Sequence, residues 1–190
     1  MAALTRGCLL VANPLLSDAN FDRTVVLLLA RDADGAIGVV LNRPSPTGLD
    51  EVLPEWETLA NSPPVLFVGG PVNQEAVICV ARIDGGVPAG ASSDGEGWSP
   101  VTGDLGTLDL DLDPDSVAEG LQDVRMFAGY AGWGPGQLES ELAAEAWWVV
   151  AADRDDPFAP HPERLWTDVL RRQRGPLQVV SSYPDDPTAN

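Results

Sequence analysis

The chain has 190 residues, enough for one hydrophobic core and short for two, and its 44% hydrophobic content is that of a globular protein rather than a disordered acidic tail. Its 29 acids against 11 bases leave a formal net charge of −18, which repels the phosphate backbone that a nucleic-acid-binding protein must attract. The opening MAALTRGCLLVANP breaks its apolar run at Asn13 and Pro14, too early for a signal-peptide core or a membrane span, so a cytoplasmic protein without membrane contact is expected.

Residues 7–12, 24–30, 36–41, 65–68 and 77–83 are short runs rich in Leu and β-branched residues, bounded by turn formers, and read as strands. The runs 25–29 and 39–41 are continuously apolar instead of alternating, which predicts cover on both faces and therefore helices packed on the sheet. Cys8 and Cys79 fall inside such runs and read as reduced, buried thiols. Residues 48–60 predict a helix with Leu49, Val52, Leu53, Trp56 and Leu59 on one face, Thr47 as its N-cap and a break at Pro54.

Residues 85–100 hold Gly, Pro, Ser and acids with almost no apolar side chain, the composition of a long mobile loop. Beyond it Leu108, Leu110 and Leu112 alternate with Asp109, Asp111 and Asp113, which predicts a strand with leucines buried and an acidic row that guards a sheet edge. Asp113 and Pro114 open a helix to about residue 121. A strand at 124–130, a glycine-rich turn, a helix at 137–146 and a strand at 147–151 follow, and a last helix after Pro162 buries Leu165, Trp166, Val169 and Leu170. There is no regular βαβ repeat, and the first three strands are close enough in sequence to pair directly. The expectation is an α+β fold in a single domain over residues 1–175 with a C-terminal tail at 176–190.

No pattern points to a catalytic centre, a metal or a cofactor. The one histidine, His161, precedes Pro162 at a helix start and reads as a helix-entry residue rather than a general base, and two separated cysteines do not make zinc-ligand spacing. The string DLDLDPDS at 109–116 places Pro114 where a calcium loop needs Gly, and the leucine alternation accounts for its spacing. The turn GWGPGQLESE at 132–141 could present backbone N–H groups to an anion, but Pro135 lacks one and Glu139 and Glu141 repel phosphate. Arg23 and Arg43 stand at strand ends beside Asp18 and Asp22, as structural clamps or as ligand anchors. In RRQR at 171–174, Arg171, Arg172 and Arg174 have a local role at a helix C-terminus and need no phosphate partner.

Four segments in order, CLLVANPLLSDANFDRTVVLLL at 8–29, GAIGVVLNRP at 35–44, FVGGPV at 67–72 and GYAGWGPGQLESEL at 129–142, followed by WW at 147–148 and ERLW at 163–166, resemble the AlgH/YqgE family along nearly the whole chain. The resemblance implies that family's α+β fold, a bifurcated mixed sheet with a small barrel-like part and flanking helices. Arg31 stands where relatives commonly carry a His, which removes the family's most plausible acid/base or metal-binding side chain from that region. Members are often named transcriptional regulators from genetic effects on exopolysaccharide production, a name that implies no reaction.

Two functional expectations follow. The first is a cytoplasmic regulatory or adaptor protein that acts through protein contacts and not on DNA, with Trp133 the best exposed of six tryptophans. The alternative is a small-molecule-binding protein or unrecognised enzyme, its pocket built from Arg23, Asn42, Arg43, the Gly69-Gly70 turn, Gln137 and Glu139.

Overall fold

The computed structural model describes residues 2–16, 18–88, 90–91 and 97–183. Strands β1 (Leu9–Ala12), β2 (Val25–Asp32) and β3 (Gly35–Val40) form an antiparallel meander. Next come β4 (Pro44–Gly48), α1 (Leu49–Val52), β5 (Val65–Val68), the long β6 (Val72–Ile83), β7 (Trp98–Thr102) and β8 (Leu105–Leu108). The chain ends with α2 (Pro114–Val117), β9 (Leu121–Trp133), α3 (Gln137–Ala143), β10 (Trp147–Val150), α4 (Leu165–Arg171) and α5 (Pro176–Val180).

The strands run in the order β10-β1-β2-β3-β9-β6-β8-β7, and the sheet forks at β9. One edge of β9 pairs with β6 from Leu121 to Tyr130; its other edge takes β5 in parallel at Phe127 and Ala128 and β3 antiparallel from Ala131 to Trp133. Thirteen residues let one strand serve both branches, so the sheet is bifurcated and mixed, as the resemblance implies. The sheet also curls into a half-barrel: a Cβ on Gly7, just before β1, would lie 2.3 Å from Thr102 Cγ2 at the end of β7.

Side-chain alternation sorts the core. Leu9, Val11, Val25, Leu27, Val39 and Val150 face an inner cluster that also holds Val80, Val101 and Phe127 from the other branch and Leu165, Trp166, Val169 and Leu170 of α4. Leu10, Ala12, Val26, Leu28, Val40 and Trp147 face the opposite way, under Leu138 of α3. The continuously apolar strands are therefore covered on both faces, each fully buried aliphatic side chain contributing about 1.5–3 kcal/mol. A third cluster packs Leu49 and Trp56 on Cys79, Ala81, Val124 and Met126.

Several boundaries differ from expectation. The helix at 48–60 breaks at Pro54 as predicted, into α1 and a 3-10 turn over Pro54–Leu59, but Gly48 and not Thr47 is the N-cap, and Val52 is 45% exposed. The leucine-aspartate row leaves the strand after Leu108. Leu110 and Leu112 still pack on the third cluster, while the Asp109 carboxylate accepts the Asp111 N–H at 2.9 Å and Asp113 caps α2. Because β8 lies between β6 and β7, the acidic row is not the outer face of an edge strand, contrary to the expectation from the alternation. Of the predicted loop at 85–100, residues 89 and 92–96 lie outside the described residues, and Trp98 already begins β7. The expected tail starts with α5, which brings Leu177, Val180 and Tyr183 onto the inner cluster; residues 184–190 lie outside the described residues. Among the described residues no helix is long and apolar enough to cross a membrane.

Candidate functional site

The predicted pocket residues do not converge. Asn42, 8% exposed, accepts the Val25 N–H at 2.9 Å through Oδ1 and donates to the Arg23 carbonyl at 2.9 Å through Nδ2, tying the end of β3 to the start of β2. Arg23 holds φ 49°, its guanidinium lies 4.7 Å over the Trp166 ring, and it donates to the Tyr183 carbonyl at 3.0 Å. Arg43 donates to the Asp22 carbonyl. These three side chains are committed to backbone oxygens and to the inner cluster, which makes them clamps.

Gly69 and Gly70 are spacers at the fork. The Gly69 N–H donates to the Ala128 carbonyl and its own carbonyl accepts the Val40 N–H, both at 2.8 Å. A Cβ on Gly69 would lie 2.3 Å from the Gly129 oxygen, and one on Gly70, at φ 156°, 2.1 Å from the Tyr130 carbonyl carbon. Only glycine lets β5 approach β9 this closely.

Trp133, expected at the surface, is 5% exposed and belongs to the cluster under α3. Its indole N–H and that of Trp147 both donate to Glu141 Oε2 at 2.8 Å, and Gln137 donates to Glu141 Oε1 at 2.9 Å. The polar tips of two buried indoles are thus satisfied by one carboxylate. Glu139 accepts from Arg31 at 2.6 Å, and that hydrogen bond holds its carboxyl below the usual glutamate range. Arg23 and Trp133 lie in clusters on opposite faces of the strand layer, so the combined Arg23, Arg43 and Gln137 pocket is not formed. Trp56, Trp98, Trp147 and Trp166 are buried too, which removes tryptophan anchors from most of the surface.

What the surface does offer is a cleft of about 660 Å³ at the rim of the inner cluster, between the β2–β3 hairpin and strands β6, β7 and β8. Its walls include Leu29, Ile37, Val77, Ile78 and Val101; Arg6, Thr107, Asp109 and Asp111 supply polar groups. Ile37 is 40% exposed, and with Val72, 38% exposed, it also lines an adjoining cleft of about 400 Å³ that leads to Arg31. The β6–β8 ladder begins at Cys79, so Val77 and Ile78 have no paired strand on that side among the described residues. Burial pushes the Cys79 thiol, in the cleft wall, up to about 12, which keeps it protonated and unreactive at neutral pH. Among the described residues no group of acids, His and Cys could hold a metal ion. The site therefore offers shape, apolar contact and charge.

A second cleft of about 490 Å³ lies between the residues before β1, the β7–β8 turn and the loop after β10, lined by Arg6, Arg82 and Arg154. Arg82, 3% exposed, donates to Asp123 and to the Arg154 carbonyl, while Arg154 donates to Asp104 at 2.5 Å. Sequence reading missed Arg6, Ile37, Arg82 and Arg154. Arg82 could have been noticed as a charge inside an apolar run, which demands a partner. Ile37 carried no signal, because its exposure depends on where β7 and β8 stop.

The family described as AlgH-like matches residues 9–178. A UPF0301 protein from Streptomyces avermitilis is 53% identical over 186 residues, covering 97% of this chain and 94% of that protein. The crystal structure of a protein from Corynebacterium diphtheriae superposes with a TM-score of 0.88 at 32% identity, over 96% of this chain and 94% of that one. The solution structure of the AlgH protein from Pseudomonas aeruginosa is similar at a TM-score of 0.66 and 30% identity, over 98% of both chains. By its matched span, its relatives and its forked, curled sheet, this chain belongs to the AlgH-like family.

Proposed function

We propose that the protein is a cytoplasmic regulatory or adaptor protein that holds an extended segment of a protein partner in the cleft beside Ile37. The observation that carries this reading is the coincidence of apolar walls, a 40% exposed Ile37 and a stretch of β6 at Val77 and Ile78 that is paired to β9 on one side and, among the described residues, to no strand on the other. An added strand gains main-chain hydrogen bonds along such an edge, and alternate side chains fill the apolar wall. Asp109 and Asp111 at the rim, in a chain of net charge −18, suit a segment with an apolar centre and a basic flank. DNA contact is not part of this reading: Arg172, in the basic run at 171–174, is engaged by Asp153 and Asp156.

The test is a photo-cross-linking residue at position 37, with a second at the exposed Val179 as control, followed by capture with Ile37→Asp and Val77→Asp. The expected result is an adduct from position 37 alone and loss of that partner in both aspartate variants. Undiminished capture by both variants, or equal cross-linking from position 179, would refute the cleft as the contact surface.

A further inference from the structure

We propose that the cleft lined by Arg6, Arg82 and Arg154 binds a small molecule through an oxyanion group, phosphate or carboxylate, and that Asp104 is the built-in competitor the ligand displaces. In a chain of net charge −18 the long-range field repels anions, so binding one requires a local concentration of arginines. Three of the 11 line this one cleft of about 490 Å³. Their planar forks match the geometry of carboxylate and phosphate.

Asp104 and Asp153 also line the cleft, but both are already compensated. Asp153 lies 3.2 Å from Arg172, and Asp104 is shared between Arg154 and Arg82. Arg6 is exposed and makes no hydrogen bond or ion pair among the described residues, so its charge is available.

The second observation is an orphan donor. Arg82 is 3% exposed, stacks 4.9 Å over Phe158, and donates through Nη1 to Asp123 and through Nη2 to the Arg154 carbonyl. Among the described residues its Nε–H has no acceptor: the Asp104 carboxylate stands 3.7 Å away, drawn toward Arg154 at 2.5 Å. A buried donor left unsatisfied costs about 1–3 kcal/mol, and such groups call for a missing partner. An oxyanion that accepts from Arg6 and Arg154 releases Asp104 to close on Arg82 Nε. Ligand binding and satisfaction of the orphan donor then occur in one step, by exchange of hydrogen bonds with no covalent bond made or broken.

The experiment is titration of the whole chain with inorganic phosphate and, separately, with citrate at low ionic strength, followed by amide chemical shifts around residues 3–7 and 151–155. Saturable binding is expected, weakened at least about tenfold by Arg6→Ala and by Arg154→Gln, unchanged by the exposed Arg174→Ala, and tightened by Asp104→Asn. Phosphate alone, citrate alone or both saturating identifies which oxyanion geometry the forks accept. Shifts that never saturate, equal weakening in Arg174→Ala, or wild-type affinity in Arg6→Ala would overturn the site. Arg6 is exposed and has no hydrogen-bond or ion-pair partner among the described residues, so Arg6→Ala keeps the test sound even if Arg154→Gln perturbs the fold.

Discussion

Asn42→Ala removes a side chain that closes two backbone groups at once, and its cost can be worked out group by group. Val25 is fully buried, so its N–H, which donates to Asn42 Oδ1 at 2.9 Å, has no route to water once the acceptor is gone. The Arg23 carbonyl, which accepts from Nδ2 at 2.9 Å, belongs to a half-buried residue and loses less. At about 1–3 kcal/mol for each buried unsatisfied group, with the carbonyl near the low end, the expected loss is roughly 2–4 kcal/mol. For a chain of this length that lowers Tm by roughly 4–16 °C. Urea denaturation at equilibrium measures it, with Asn20→Ala, on an exposed loop, as a control within about 0.5 kcal/mol of wild type. Asn42→Asp sharpens the test. The carboxylate still accepts from Val25, but its second oxygen opposes the Arg23 carbonyl until it is protonated, so the deficit relative to wild type shrinks as pH falls. A loss below about 0.5 kcal/mol for Asn42→Ala would refute the clamp.

Glu141→Ala leaves the Trp133 and Trp147 indole N–H groups without their acceptor, so a loss of about 2–4 kcal/mol with a changed tryptophan emission spectrum is expected; unchanged emission and stability would contradict the shared-carboxylate geometry. The Arg31 hydrogen bond depresses the Glu139 pKa, so the pairing stabilises above the ordinary glutamate pKa and is lost as pH falls through the lower folded value. A carboxyl-carbon NMR titration should place the Glu139 midpoint below the usual range in wild type and return it upward in Arg31→Ala. Cys79, with its thiol pushed up to about 12, should resist a thiol reagent at mildly alkaline pH until the chain unfolds, and labelling of the native protein faster than unfolding would show the site to be open.

The strand meander was legible because its evidence is local. Continuous apolar runs at 25–29 and 39–41 demand cover on both faces, and the structure supplies α3 on one side and α4 on the other. Leu165, Trp166, Val169 and Leu170 fall on one face by spacing alone, and Asp113 with Pro114 writes a helix start into adjacent residues. The predicted site failed for the opposite reason. Arg23, Asn42 and Arg43 looked like ligand groups because polar residues at strand ends serve equally well as clamps, and what separates the two roles is the partner. That partner is the Tyr183 carbonyl for Arg23, 160 positions away, and the Val25 N–H for Asn42. Trp133 misled similarly: an indole is an apolar body with one donor, and whether it faces water depends on a carboxylate eight residues on and on Phe21, stacked 6.4 Å away from across the fold.

The sequence by itself determined the family, the α+β class and the order of most elements, since hydrophobic period, turn residues and caps act over a few positions and survive without knowledge of the fold. The family resemblance already implied a forked, partly barrel-like sheet, but only the tertiary structure decided which strand carries the fork, where the sheet curls onto itself, the partners of Arg82 and the two clefts. These depend on contacts between segments far apart in the chain, such as Gly7 against Thr102 and Arg82 against Asp123 and Arg154, whose pairing no local pattern encodes.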